Sequence, residues 1–497
     1  MKRTIAIIGA GSVGSNAAIF LAKLGFDVSL FDYQSDILEG SPMVSFINHG
    51  DGFEYYKNGH QATGKFCIDG SMVKGLIYPL NKFRTNIVSE ENPIRFLVSE
   101  QSKKNRDTPL TQFYNNAELM KKHFSLQYES VKKIKHWSDS EAKSVFLRSP
   151  ETFYKILRTD EFEDLTNIVG GCSGSSFGIN MPHYFAYLKA AMRHVGVTLN
   201  ASSQVECIEK QGSKYLVHVG RKFVKTDMVI VAANHNIPII AANRKNFELV
   251  DKMQGTYYLN SMTFLELPET SDDEKIKALK HINFTLQGDN GCMYACIVPP
   301  TKKDKGIAAI YFPSELGSQE DNFIYRSSSS TFKWKIPSWQ GLINNDGNNK
   351  EEGAQRTFEQ ACIFYPFLKD YAIIKNTKYR PVFNINSKDS EMGKDRRVRE
   401  INGNPLMLSE DGCVTMWTSP KWTNAELVAL IATDYVCKHT GIKSIPKLEN
   451  GGFGPTRLDI ATFSENFNFQ GLHMDIEEAL QYSRKQGISE KVINPNY

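Results

Sequence analysis

The first 32 residues alternate between apolar and polar stretches in a way that predicts three elements. Ile5 to Ile8 is an unbroken apolar run, as a strand buried on both faces requires. Val13, Ala17, Leu21 and Leu24 then recur at helical spacing and put an apolar stripe on one face of a helix. Val28 to Phe31 is a second apolar strand, closed by Asp32. Residues 99 to 165 are charged and helix-like. Residues 183 to 195, "HYFAYLKAAMRHV", have helical spacing behind Pro182, where a helix can start. The stretch from Val197 to Ala233 predicts short strands with a hairpin, ending on the apolar run Met228 to Ala233. Residues 256 to 315 mix strands with a polar helical segment near 271 to 281. "DGCVTMWTS" predicts a strand and "NAELVALIATDYVCKH" an amphipathic helix. The stretch from 314 to 355 is rich in Ser, Gly, Asn and Asp, which predicts a long irregular excursion. Residues 450 to 497 read as a polar tail with one short helix near 475 to 485.

The opening elements enclose glycines spaced G-x-G-x-x-G. Gly9 permits a tight turn, Gly11 lets backbone approach a pyrophosphate, and Gly14 allows close packing of helix on strand. The amides at the helix start, at Ser12 and Val13, can hold phosphate. Asp32 lies about 20 residues further on, where a carboxylate suits an adenosine ribose hydroxyl and repels a 2′-phosphate. Tyr33 beside it is counted with the cofactor-binding residues. At this point both NAD and FAD fit.

Composition narrows the class. Lys+Arg 59 against Asp+Glu 55 gives +4, which does not point to nucleic acid or an anionic membrane. The length suggests about two to three domains, and 41% hydrophobic residues suffice for a core. The eight cysteines are scattered. Cys292 and Cys296 form a C-x-x-x-C with no second pair, so neither a zinc site nor a disulfide framework is expected, and no metal is assigned. Reduced thiols, and a nucleotide strand so near the first residue that no signal peptide fits before it, predict a cytoplasmic protein. No apolar run reaches the ~18 residues of a membrane-spanning helix, while peripheral membrane contact stays open.

The nucleotide-type pieces are dispersed along the chain, at the N-terminus, at 180 to 234 and at 411 to 438. That layout resembles the D-amino-acid-oxidase-like superfamily, and the resemblance implies FAD. The fold class it implies is α/β (α+β overall), a Rossmann-type FAD-binding domain split in sequence with a mixed-sheet substrate domain. The FAD-binding domain would comprise 1–98, 166–245 and 376–450. The substrate domain, with a helical part, would comprise 99–165 and 246–375, and 451–497 would be a C-terminal extension. Within the superfamily, "INHGDGFEYYKNGHQATGKFCIDG" (47–70) resembles the "IHAG…YYKPGS…LCVEG" stretch of the L-2-hydroxyglutarate dehydrogenase/oxidase family. "YACIVPP" (294–300) is similar to that family's "YPVPDP"-like strand, and "TSPKWTNAELVALIA" (418–432) to its "APSPGATSSLAIA". Lys421 and Trp422 stand where the family has small residues.

The resemblance implies a set of site residues. Val205 would lie against the adenine, and Ala232 and Ala233, ending "VIVAAN", beside the flavin. Ser41 would approach the phosphates and ring. Pro420, Trp422 and Thr423 would precede a helix whose N-terminus faces the isoalloxazine and stabilises the reduced, anionic flavin. Oxidising a 2-hydroxy acid needs a base for the hydroxyl proton and a cation for the carboxylate. His49 matches the histidine of the family stretch and is the base candidate. Arg380, in "KYRPVF" at the start of a strand, resembles the Arg of the family's "GIRA" and is the clamp candidate. Tyr257 and Tyr294 are candidates for the substrate side, while His60 and His183 fall outside any matched motif. The expected activity is an FAD-dependent oxidoreductase acting on a small 2-hydroxy or amino acid by hydride transfer. Its electron acceptor would be oxygen, a quinone or an electron-transfer protein. The alternatives are an amine or amino-acid oxidase of the same fold, or a degenerate flavin-binding protein without turnover. The dispersed layout disfavours an NAD-only protein.

Overall fold

The computed structural model describes residues 2–35, 37, 46–49, 70, 88–91, 94–98, 135–137, 168–173, 176–237, 240, 255–266, 284–288, 291–298, 307–311, 315–316, 355, 358, 368–371, 373–385, 406–410, 412–417, 424–442, 448–449 and 457–458. The opening unit is β1 (Thr4–Ile8), α1 (Ser12–Lys23) and β2 (Asp27–Phe31). Helix α2 (Met181–His194) leads into β3 (Thr198–Asn200), followed by β4 (Val205–Gln211), β5 (Lys214–Val219), β6 (Lys222–Thr226) and β7 (Met228–Val231). Then come β8 (Leu406–Glu410), β9 (Cys413–Trp417) and α3 (Ala425–Thr440). One six-stranded sheet has the order β8-β9-β7-β1-β2-β3. It is parallel except for the β8–β9 hairpin. Ile5 stands opposite Met228 on one side and Val28 on the other.

β1 is central, and its residues Ile5 to Ile8 are at most 4% exposed. That explains the unbroken apolar run, because a parallel strand with neighbours on both edges and layers on both faces has no polar side. The same logic widens the buried surface of α1. Ser12 and every residue from Gly14 to Leu21 are buried, whereas Val13 and Leu24 are only half-buried. A four-residue stripe underestimates this helix, which packs against β1, β2, α2 and α3 at once. Helix α3 departs further from expectation. It is not amphipathic: nearly every residue from Ala425 to Thr433 and on to Cys437 is buried, because it lies between α1 and β9. A helix covered all round needs no polar face.

The predicted hairpin between Val205 and Thr226 is a three-stranded antiparallel meander, β4-β5-β6. Asp227, between β6 and β7, ties this meander to the start of β1. Its carboxylate accepts hydrogen bonds from the Thr4 amide at 2.8 Å and the Thr4 hydroxyl at 2.9 Å, and from the Lys214 ammonium. Burial works to raise this carboxyl, but the Lys214 and Thr4 bonds outweigh it and hold it below the ordinary 3.8. A depressed carboxyl stabilises the fold above the unfolded-chain value and stops doing so as pH falls through the folded one. Asp227→Asn should therefore lower the melting temperature by about 1–3 °C at neutral pH. The gap to wild type should close on acidification, which a series of thermal melts checks.

The remaining strands form other sheets. A nine-stranded sheet is built around the long antiparallel pair Gly255–Glu266 and Ile373–Ile385, with Ile307–Tyr311, Gly291–Val298, Phe284–Gly288, Ile94–Val98 and Ile168–Ser173 continuing outward. A three-stranded sheet joins Phe46–His49, Ser176–Asn180 and Val88–Glu91. Its strand Ser176–Asn180 runs directly into α2, where Pro182 occupies the first turn, the one place a helix accepts a missing amide donor. Among the described residues no helix is long and apolar enough to cross a membrane. The helices expected near 271–281 and 475–485, and most of 314–355, lie outside the described residues.

Candidate functional site

The site begins where β1 stops. Gly9 has φ +98°, a conformation that side chains disfavour, and this turns the chain sharply out of the sheet. The Gly9 amide donates to the Phe31 carbonyl at 2.8 Å, while the Ala232 amide donates to the Ile8 carbonyl at 2.8 Å. The turn is thus stitched to the ends of both flanking strands. There is no room for a side chain: a Cβ on Gly9 would come within 2.6 Å of the Ala232 carbonyl oxygen and 2.9 Å of the Ala233 Cα. At Gly14 a Cβ would sit 1.9 Å from the Gly9 carbonyl oxygen. The first turn of α1 rests directly on the glycine turn, and the tail of β7 presses on it from the side. Gly9, Gly14, Ala232 and Ala233 are therefore brought together as one surface.

Gly11 is different. A Cβ there would meet nothing within 4 Å among the described residues. Open space therefore lies over the start of α1, and the helix offers donors into it. Gly11 is the N-cap and supplies no side-chain cap, and the first turn carries no acid. The amides at Ser12 and Val13 precede the first helical bond, from the Ser15 amide to the Gly11 carbonyl. The Ser12 hydroxyl oxygen is buried with no hydrogen-bond partner among the described residues. Uncapped amides, an orphaned buried hydroxyl and a cradle that a Cβ would fill are the donor set that a pyrophosphate requires. The residues present fit an FAD dinucleotide.

Asp32 closes the other end. Its Oδ2 accepts the Ala10 amide at 2.7 Å and its Oδ1 accepts the Gln34 amide at 2.9 Å. The carboxylate thus braces the glycine turn against the end of β2, in addition to the ribose role expected from its position. Burial raises its carboxyl above the ordinary 3.8, against the lowering effect of the amides of Gln34, Ala10 and Tyr33. Two further bonds lay the following segment beside it: the Asp32 amide donates to Asn200, and the Ser203 amide donates to the Asp32 carbonyl at 2.7 Å. Val205, two residues later, is 8% exposed at the start of β4, and Tyr33 is 44% exposed. Val205 and Asp32 therefore share one neighbourhood.

Sequence reasoning missed one set of residues here. The Asn16 amide group donates to the Ser12 carbonyl at 2.8 Å and to the Tyr184 hydroxyl at 3.0 Å. Tyr184 in turn donates to Glu426 Oε1 at 2.6 Å. The available signal was a polar Asn and an acidic Glu beside the apolar runs of α1 and α3.

The described substrate-side candidates all lie on strands. His49 ends the strand Phe46–His49, opposite Phe177. Arg380 lies inside the strand Ile373–Ile385, opposite Asn260, not at a strand start. The two belong to different sheets. Tyr257 faces Phe383 in register, and Tyr294 faces Tyr311. The strand bearing Arg380 passes within 8 Å of the single helical turn Asn234–Asn236 that follows Ala232 and Ala233. Ser41, His60, Pro420, Lys421, Trp422 and Thr423 lie outside the described residues. Among the described residues no group of His, Cys, Asp or Glu is placed to hold a metal.

A family model described as FAD dependent oxidoreductase (DAO) matches residues 4–290. Solved structures similar to the chain include L-proline dehydrogenase from P. horikoshii, at 15% identity and TM-score 0.53, over 93% of this chain and 98% of that one. Glycine oxidase from Geobacillus kaustophilus is similar at 13% identity and TM-score 0.54, over 91% and 99%. The dithionite-reduced L-α-glycerophosphate oxidase from Mycoplasma pneumoniae with FAD bound is similar at 14% identity and TM-score 0.52, over 92% and 98%. At such identities the likeness is one of fold. No curated protein matches the chain significantly.

Proposed function

The chain belongs to the FAD-dependent oxidoreductase (DAO) family, and from that membership we propose that it oxidises a small 2-hydroxy or amino acid at the α carbon. FAD, held at Gly9, Gly11, Ser12, Val13 and Asp32, supplies the acceptor for the hydride that leaves Cα. The observation that carries the substrate class is the approach of the strand Ile373–Ile385 to the turn after β7. That strand contains Arg380, and the turn it approaches follows Ala232 and Ala233. Arg380 is the clamp for the substrate carboxylate, because a planar guanidinium matches a carboxylate with two parallel bonds. His49 is the base that takes the hydroxyl proton of a 2-hydroxy acid. An amino acid reacts as its free amine and makes no such demand on His49.

Two lines of support point in different directions within this class. The 47–70 stretch resembles the L-2-hydroxyglutarate dehydrogenase/oxidase family, which favours a hydroxy acid. Glycine oxidase and L-proline dehydrogenase, by their names, act on amino acids. The test is an absorption spectrum of the purified holoenzyme under anaerobic conditions with a panel of 2-hydroxy and amino acids. Bleaching by one compound identifies the class, and flavin that no compound bleaches sinks the proposal in favour of a flavin-binding protein without turnover. With the substrate in hand, Arg380→Met should cut kcat/KM about a hundredfold with the flavin spectrum unchanged. His49→Gln should slow a hydroxy acid by a similar factor and leave an amino acid nearly untouched.

A further inference from the structure

Asn16, Tyr184 and Glu426 come from three helices separated by 168 and 242 residues of sequence, yet they form one hydrogen-bonded chain. Their exposures are 1%, 0% and 0%. Three apolar side chains would pack these helices together without the desolvation cost of polar groups. The polar chain has a direction instead. Between Asn16 and Glu426 both bonds run toward the carboxylate: Asn16 donates to Tyr184, and Tyr184 donates to Glu426. Glu426 sits in the first turn of α3, where the helix dipole favours negative charge.

The other end of the chain touches the cofactor cradle. The second proton of the Asn16 side-chain amide goes to the Ser12 carbonyl. That carbonyl shares a peptide unit with the Val13 amide. A hydrogen bond accepted at the oxygen polarises the unit and strengthens its N–H as a donor, and linked bonds reinforce one another. The Val13 amide is one of the uncapped donors at the start of α1. We propose that Asn16, Tyr184 and Glu426 are positioning residues for the FAD pyrophosphate, which fix the first turn of α1 and raise the donor strength of its amides. The chain acts on the cofactor through Ser12 and Val13 and does not depend on which substrate is oxidised.

The test uses the full-length protein stripped of flavin and titrated with FAD. Three quantities are read: the FAD dissociation constant, the 31P resonances of the bound pyrophosphate at saturating FAD, and the melting temperature of the apoprotein. Tyr184→Phe keeps the ring and removes both bonds. It should raise the dissociation constant about tenfold and move a 31P resonance. Asn16→Ala should do the same, and the double variant should be little weaker than either single one, because the two residues act in series. Glu426→Gln keeps an acceptor oxygen for Tyr184 and should bind FAD as wild type does, whereas Glu426→Leu should fall with the others. If Tyr184→Phe lowers the melting temperature but leaves the dissociation constant and the 31P spectrum unchanged, the chain only packs helices and the proposal is overturned. Equal weakening by Gln and Leu at Glu426 overturns the acceptor role. If Tyr184→Phe fails to fold, Asn16→Ala decides by the same readouts. Wild type that takes up no FAD overturns the cofactor site itself, and this proposal with it.

Discussion

Gly14→Ala should yield no FAD-loaded protein, and any folded fraction should melt about 5 °C or more below wild type. The added Cβ would lie 1.9 Å from the Gly9 carbonyl oxygen and 3.1 Å from its carbon. Both are backbone atoms, so no rotamer change relieves the overlap. Gly9 cannot retreat either, because its own amide is bonded to Phe31 and its flank is pressed by Ala232. The first turn of α1 must therefore lift. Helix α1 packs against β1, α2 and α3, so the lift loosens packing throughout the nucleotide unit. Overpacking of this kind costs about 3 kcal/mol or more, a sizeable part of the roughly 5–15 kcal/mol that keeps a domain folded. Flavin absorbance of the purified protein and a melt of the apoprotein are the measurements. A Gly14→Ala variant that purifies with a full complement of FAD would show that α1 does not rest on the turn.

Gly11→Val separates folding from binding. Gly11 has φ −70° and ψ −177°, which any residue adopts, and a Cβ there meets nothing within 4 Å among the described residues. The apoprotein should melt within about 1 °C of wild type, as exposed substitutions without special roles do. The valine would nevertheless fill the open space over the start of α1, where the uncapped amides of Ser12 and Val13 lie. Losing two charge-assisted hydrogen bonds, each worth about 1.5–3 kcal/mol, predicts an FAD dissociation constant about a hundredfold weaker or more. Titration of apoprotein with FAD, followed by flavin fluorescence, measures it. Only the pair of glycine variants together distinguishes the two causes of flavin loss: one breaks the scaffold and the other fills the cradle.

The nucleotide unit was legible in the sequence because its chemistry is local. β1, the three glycines, α1, β2 and Asp32 follow one another within 32 residues, and Gly9 and Gly14 stand where the turn leaves no room for a side chain. Helix α3 was found but misread as amphipathic, since a local window cannot tell whether one face or all faces of a helix are covered. The chain Asn16–Tyr184–Glu426 left almost no local trace, because its members meet only when three distant helices pack. Arg380 was read as the start of a strand in the flavin domain. It lies inside a 13-residue strand whose partner begins at Gly255. Pairing across more than 100 residues is settled by register, which the strand sequences alone do not state.

Strand β7 has a consequence for how the protein is made. One edge pairs with β1, while the other pairs with β9, roughly 180 residues further along. At translation speeds of about 5–20 residues per second, the ribosome finishes β7 on the order of ten to forty seconds before its second neighbour exists. During that interval the nascent chain holds a finished glycine turn beside an apolar strand with an open row of amides and carbonyls. Such an edge invites pairing with other nascent chains. A product that terminates before Cys413 is therefore not a smaller flavoprotein. It is a chain with an uncovered sheet edge and an unburied face of α1, suited to chaperones and proteases rather than to FAD.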